Sequence, residues 1–579
     1  MIKQLLKGTE KYKKQIILTP ITMLGEVSME VLIPYIMALM IDNGIKGDYG
    51  LPYTIKMGAL MIGAAVVALF FGLLSARYAA EGSMGMAAGL RKRLFDKVQD
   101  FSFSNIDKFS TASLITRITT DVNNVQRAAM LLIRAGSRAV LMFAGALFMS
   151  LRTNVSLSAV FAVAIPFVAI AVVLLASKAM PRFKEMLKKY DDLNLDVQEN
   201  LTGIRVVKAF VREDYEHSKF EKGADRVRSA QLGAEKIVIW GMPLMFITMS
   251  MSIISVLWFG SKQLMIGQLE VGQLTSFTTY IVQVLISLML VAMVMITLVL
   301  SRASATRIVE VLDTDSDLKD TNKDSTLKLD DGSIVFKNVG FQYTKESRQE
   351  TLKDISISIA SGQTVGIIGG TGAGKTSLVQ LIPRLYDVIR GDLLVGGHSV
   401  KDYALSTLRD DVAMVLQNNV LFSGTIKENL RWGNPQATDE QIEEACKWAC
   451  AHDFIMDFPK QYETELGRGG VNVSGGQKQR LCIARALLKS PKIVILDDST
   501  SAVDTATDSK IRAAFKEQLK DTTTLIVAQR IASIMDADQI IVMDEGKINA
   551  VGSHEKLLAT NNIYQEVYNS QQQGEERNG

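Results

Sequence analysis

The feature that most constrains this chain is a set of long apolar runs confined to its first 300 residues. A helix needs about 20 mostly apolar residues to cross a bilayer, where no water is available to satisfy an unpaired backbone group. Six segments meet that requirement: 16–41, 55–78, 130–151, 155–176, 237–260 and 271–300. The chain as a whole is 48% hydrophobic, so the placement of the apolar residues is more telling than their amount. Beyond them, apolar runs alternate with glycine and charge as in a water-soluble α/β domain. Two solvents are implied. Domains are expected at 1–310 and 332–579, joined by a linker at 311–331 that overlaps a polar stretch, 301–330, carrying Asp313, Asp315, Asp317, Lys319 and Asp320.

Charge sets the orientation. Arg91, Lys92, Arg93 and Lys97 follow the second run, and Lys184, Lys188, Lys189, Arg205 and Lys208 follow the fourth, whereas the opposite connections are short and nearly uncharged. Lys3, Lys7, Lys11, Lys13 and Lys14 precede the first run. The expectation is a multi-pass protein of the plasma membrane with both termini cytoplasmic. The two basic connections are helical in pattern, which predicts membrane helices extended into the cytosol and joined by turns. Arg134 and Arg138 interrupt the third run and are placed near its cytosolic end.

Glu26 and Glu30 stand i,i+4 inside the first run, on one helix face. Carboxylates inside a membrane are costly, which makes the pair candidate substrate residues for a cationic amphiphile or a proton. The competing reading places them at a hydrated helix end or against a neighbouring helix. Met242, Met245, Met249, Met289 and Met293 lie in the last two runs, the soft side chains that adaptable binding surfaces use and that plain helix packing also explains. Cys446, Cys450 and Cys482 form no disulfide framework and read as inert thiols. A net charge of +3 gives no reason to expect a nucleic-acid partner.

Gly369-Gly370-Thr371-Gly372-Ala373-Gly374-Lys375-Thr376 follows an apolar strand, 364–368, and opens a helix at Ser377. This G-x-x-x-x-G-K-[ST] spacing lets backbone N–H groups converge on phosphates, with Lys375 as a point charge and the Thr376 hydroxyl as a Mg²⁺ ligand. A buried-strand pattern at 492–498 ends in Asp497 and Asp498, carboxylates suited to holding Mg²⁺ at a strand tip.

Between these elements stands Val473-Ser474-Gly475-Gly476-Gln477-Lys478-Gln479-Arg480, and with it the sequence resembles the ABC ATPase family, whose signature is a Ser-Gly-Gly-Gln run at this place. The resemblance implies a six-span α-helical membrane domain of the exporter type fused to an α/β P-loop ATPase domain, with ATP and Mg²⁺ as cofactors. It makes Tyr343 the aromatic that stacks on adenine and Gln417 the residue that touches Mg²⁺. It also makes Ser501-Ala502-Val503-Asp504 the segment after the paired aspartates, with Asp504 in communication across a dimer. The run GIRVVKAFVRE at 203–213 is similar to the second intracellular loop of bacterial exporters, so short transverse helices are expected to press into grooves near Gln417.

The chain departs from the family pattern at three places. Asp498 stands where fully active members carry the Glu that polarises the attacking water, and Gln529 stands where they carry the switch histidine; His217, His398, His452 and His554 lie elsewhere. Arg468 replaces a Glu common in homodimeric exporters. In the family each ATP lies between one subunit's phosphate loop and the other's signature. An intact Ser474–Gln477 beside a weakened Asp498 and Gln529 therefore implies a heterodimer. This chain would lend its signature to a partner half-transporter with intact Glu and His, and the pair would export hydrophobic or amphiphilic compounds. A lipid or lipopeptide translocase of the same fold and a nucleotide-gated regulatory subunit are the alternatives.

Overall fold

The computed structural model describes residues 2–320, 326–343, 349–499 and 503–578. The chain divides into two compact units, residues 1–99 with 112–314 and residues 100–111 with 315–579.

In the first unit, six helices among the described residues are long and apolar enough to cross a membrane: Glu10–Ile45, Gly50–Gln99, Thr111–Thr153, Val155–Thr202, Glu213–Met265 and Val271–Asp313. Each contains one of the six apolar runs read from the sequence. Their common core gathers Met23, Val27 and Val31 with Leu157, Phe161, Phe277 and Ile281, and the Phe161 and Phe277 rings lie 5.8 Å apart. Tyr280 is fully buried there and its hydroxyl donates to the Val31 carbonyl at 3.2 Å, so no phenol is left unsatisfied in an apolar setting. The fourth and fifth helices continue past their apolar runs as a charged hairpin. Lys219 pins it by reaching Asp196 (3.1 Å) and Glu199 (3.0 Å) on the opposite helix. The short helix Ile204–Ala209 closes its tip.

Residues 301–313 differ from the expected connector: they continue the sixth helix to Asp313. Ala305, Ile308 and Val311 recur at i,i+3 spacing and are buried. Arg307 and Glu310 within this extension are paired, Arg307 with Asp121, and Glu310 with Arg117 at 2.8 Å.

The second unit is built on a six-stranded sheet in the order Lys547–Gly552, Gln539–Asp544, Thr364–Gly369, Thr523–Val527, Ile493–Asp497, Val412–Val415. All neighbours are parallel except the first pair. Ile493–Asp497 and Thr523–Val527 are buried at every position, which is why their apolar residues, 493–496 and 525–527, run on without alternation. A four-stranded antiparallel sheet, Leu352–Ile359, Ile334–Phe341, Arg390–Val395, His398–Ser399, packs beside it and shares a core with Ile367, Ile495 and Leu525. Residues 100–111 belong to this unit through the helix Phe103–Phe109.

Candidate functional site

The register of the parallel sheet assembles the site. Val527 lies opposite Asp497 on one side and Ile367 on the other, so Ile493–Asp497 and Thr523–Val527 end level, Thr364–Gly369 ends two residues beyond, and all three open on one edge. From that edge leave the phosphate loop after Gly369, Asp498 after Asp497, and Gln529 after Ala528. The carboxyl ends of parallel strands are where α/β sheets open a crevice.

In the loop, Gly372 (φ 82°) and Gly374 (φ 92°) adopt left-handed conformations that an L side chain rarely takes. The following helix begins at Lys375 rather than Ser377. Lys375 Nζ folds back and donates to the carbonyls of Gly369 (2.8 Å) and Gly370 (2.9 Å). Burial pushes its ammonium pKa down, with Asp498 and Asp497 pulling the other way. An anion in the loop would restore the missing partner for this half-desolvated charge.

Thr376 Oγ1 donates to Asp497 Oδ1 at 2.9 Å. Asp497 is 1% exposed, and its Oδ2 is buried without a partner among the described residues. A hydroxyl, a buried carboxylate and an orphaned oxygen form a donor set suited to a hard cation, so the residues fit Mg²⁺. Thr376 and Asp497 would hold it, and Mg²⁺ bound there neutralises phosphate charge. Desolvation raises the Asp497 pKa, opposed by the Thr376 hydrogen bond and reinforced by Asp498. A carboxyl whose pKa is raised on folding costs stability above that pKa, and the cost vanishes below the unfolded value, where both states are protonated. Asp497→Asn is therefore expected to raise the Tm of the nucleotide-free chain at neutral pH. The gain should fade on acidification, and the stabilisation by Mg-ATP should be lost. Thermal melts from pH 4 to 8 measure all three, and a lower Tm for the variant at neutral pH would refute the account.

Asp498 sits at φ 51°, a left-handed non-glycine position of the kind that concentrates at functional sites. Its backbone N–H donates to Val527 O at 3.0 Å. Gln529 Nε2 donates to Asp498 Oδ2 at 2.8 Å, and Gln417 Nε2 lies 3.5 Å from the same oxygen. The structure thus brings Asp498, Gln529 and Gln417 together beside Asp497 and Thr376. Tyr343 stands at the other end of the loop, 39% exposed, with its hydroxyl 2.7 Å from Ser377 Oγ. Its ring meets Tyr386 edge-on at 5.2 Å.

Ser474 caps the helix Gly475–Leu487: its Oγ accepts from Gln477 N at 3.3 Å while Gln477 Oε1 accepts from Ser474 N at 2.9 Å. This capping box leaves the exposed signature on the N-terminus of a 13-residue helix, the end suited to a phosphate. Asp504 caps the next helix, Thr505–Gln518, accepting from Thr507 N at 2.9 Å, and that bond holds its carboxyl below the usual range. Ser501 and Ala502 lie outside the described residues.

A groove of about 360 Å³ runs beside Gln417, lined by Leu416, Asn418, Phe422, Trp432 and Arg485, with the Phe422 and Trp432 rings stacked at 4.2 Å. The first transverse helix, Phe103–Phe109, packs elsewhere. Asp107 Oδ2 accepts from the Tyr386 hydroxyl at 2.8 Å, and Phe103 meets the Tyr386 ring at 6.0 Å, so this helix touches the aromatic group that contains Tyr343. In the membrane unit, Arg138 donates to both candidate carboxylates, Glu26 and Glu30, reaching the latter at 2.8 and 2.9 Å. Gly72 leaves room for Glu26, since a Cβ there would lie 3.2 Å from its carboxyl carbon. Sequence reading gave Arg138 only a topological role and gave none to Tyr386. A cation in the third apolar run facing two anions in the first was the available signal for Arg138.

Two family models match the chain, the ABC transporter transmembrane region over residues 16–289 and the ABC transporter model over residues 352–501. The ABC transporter ATP-binding protein YfiB of Bacillus subtilis (strain 168) is 38% identical over 552 residues, 95% of each chain. A Staphylococcus aureus (strain NCTC 8325 / PS 47) protein named for multidrug export as an ATP-binding/permease protein is 32% identical, covering 99% of this chain and 100% of its own. Among solved structures, a bacterial Atm1-family ABC exporter with ATP bound superposes with a TM-score of 0.81 at 24% identity, over 96% of this chain and 98% of the other.

Proposed function

The chain belongs to the ABC transporter family as an exporter half that couples ATP to transport, and from that premise we propose that it is the catalytically degenerate subunit of a heterodimeric multidrug-type exporter. The observation that carries this reading is Asp498 itself: a carboxylate one methylene short of a general base, held by Gln529, beside an intact phosphate loop and a Thr376–Asp497 pair, in a chain whose signature, lent to the partner's site, is also intact. A base must reach its water within hydrogen-bond distance, and one misplaced by roughly 1 Å loses on the order of 10²-fold. The site binds ATP and turns it over slowly. The partner's phosphate loop, closed by Ser474–Gln477 of this chain, hydrolyses it.

A second subunit also accounts for the hairpin tip, where Val206 (61%), Phe210 (73%) and Val211 (81%) are exposed on a cytosolic extension. For the substrate, a cavity of about 300 Å³ is lined by Met242, Met245, Met289, Met293 and Thr248, adaptable surface suited to varied apolar molecules. Two carboxylates against one arginine, Glu26, Glu30 and Arg138, leave an excess negative charge that favours amphiphilic cations. The Staphylococcus relative is named for multidrug export. Both termini are cytoplasmic and the protein resides in the plasma membrane, as its basic cytosolic extensions support.

The test is Mg-ATPase and dye uptake in inside-out vesicles, with this chain alone and with its partner. Activity is expected only from the pair, stimulated by an amphiphilic cation and less by its neutral isostere. Robust turnover by this chain alone would overturn the heterodimer.

A further inference from the structure

The switch position is held from behind by the C-terminal helix, Asn562–Asn578. That helix is seated by Tyr564, 1% exposed, whose hydroxyl lies 2.7 Å from His554 Nδ1, and by Ile563, Val567 and Tyr568, which pack on the core that contains Ile526 and Ile531. From the same face, one turn beyond Val567, a half-buried side chain returns to the ATP site. Gln571 Nε2 donates to the Gln529 carbonyl at 2.8 Å, and Gln571 Oε1 accepts from Ile531 N at 2.9 Å. A single primary amide thus clamps both ends of the turn that follows Thr523–Val527, as a neighbouring strand would. Gln529 then donates to Asp498, whose own N–H is fixed on Val527.

We infer that Gln571 is a positioning residue for this ATP site: its amide sets the Gln529 turn and so holds the Gln529 side chain on Asp498, making C-terminal helix docking a condition for retaining nucleotide. Only an amide of this length supplies donor and acceptor together. Glutamate would face the Gln529 carbonyl with a second acceptor, and methionine fills the volume with neither. Two neutral hydrogen bonds, each of modest net worth, set the scale at about tenfold in the open population of the turn.

The inference rests on the ATP-binding reading of the site, and its two measurements separate the two ideas. In the full-length chain in lipid without nucleotide, Gln571→Met is expected to speed amide exchange about tenfold in a peptide spanning 528–533 while exchange across 562–570 is unchanged. With Mg-ATP, Gln571→Met and Gln529→Ala are each expected to speed nucleotide release about tenfold, with the double variant no faster than Gln529→Ala, since one acts through the other. Unchanged exchange at 528–533, fraying of 562–570, or additive release rates would each overturn the clamp. A wild-type chain that fails to retain Mg-ATP while the exchange result holds would refute the ATP reading and leave the clamp standing.

Discussion

Converting Asp498→Glu together with Gln529→His is expected to raise hydrolysis at this chain's own ATP site by about 10²- to 10⁴-fold, the range a well-placed general base supplies. Everything else that site needs is in place: the left-handed glycines of the phosphate loop, Lys375 poised on the loop carbonyls, and Thr376 on Asp497. On the proposed reading, the missing element is reach. Asp498 is tied by its backbone to Val527 and by its carboxylate to Gln529, so the carboxylate cannot turn toward the nucleotide without leaving Gln529, and the backbone cannot advance without leaving Val527. Glutamate restores the methylene from the same anchored backbone. Histidine at 529 restores a group that can carry a proton or a positive charge near neutrality, which an amide cannot do. The measurement is single-turnover hydrolysis in a dimer whose partner has its catalytic carboxylate converted to the amide, so that only this site contributes. Most of the gain is expected from Asp498→Glu alone. A double variant that stays at background would place the defect elsewhere and remove the physical basis for the asymmetry.

How much of this was legible before any coordinates depends on the range of each interaction. The six membrane helices follow from local composition, and the phosphate loop, Asp497 and Ser474 from short motifs whose chemistry is contained in neighbouring residues. Gln417, Asp498 and Gln529 were each singled out in the sequence, and the fold brings them to one oxygen because they follow three adjacent parallel strands that end within a residue of one another. What could not be read was long-range. Asp107 and Tyr386 are 279 positions apart, and neither type is unusual on a cytosolic helix or near a strand. Gln571 sits in a polar terminal helix where nothing local distinguishes a clamp from a solvated side chain. The full extent of the sixth helix was long-range as well: Arg307 and Glu310, inside a stretch read as polar, are paired with Asp121 and Arg117 far along the chain.

Substituting the signature should cost far more than substituting the base. Ser474→Asp preserves the helix, because aspartate is as good an N-cap as serine and can accept the same bond from Gln477 N. It also places a negative charge on the helix end that would face the partner's phosphates, where a neutral hydroxyl and a partial positive charge now stand. The turnover of the pair is expected to fall by at least about 10²-fold, the loss typical of removing one preorganised donor from a developing anion. Asp498→Asn, in the same chain and next to Asp497, is expected to change turnover by no more than about twofold, because in the proposed heterodimer the activated water belongs to the other site. The contrast is the diagnostic, since each variant alone has a structural explanation. In a symmetric dimer every site uses one copy of each residue, so both substitutions must silence it equally; in the asymmetric pair they fall on different sites, and only the signature lies on the hydrolytic one. Steady-state ATPase of the two variants with the same partner, each checked for assembly by size-exclusion chromatography, decides between the two arrangements, and equal losses would establish the symmetric one.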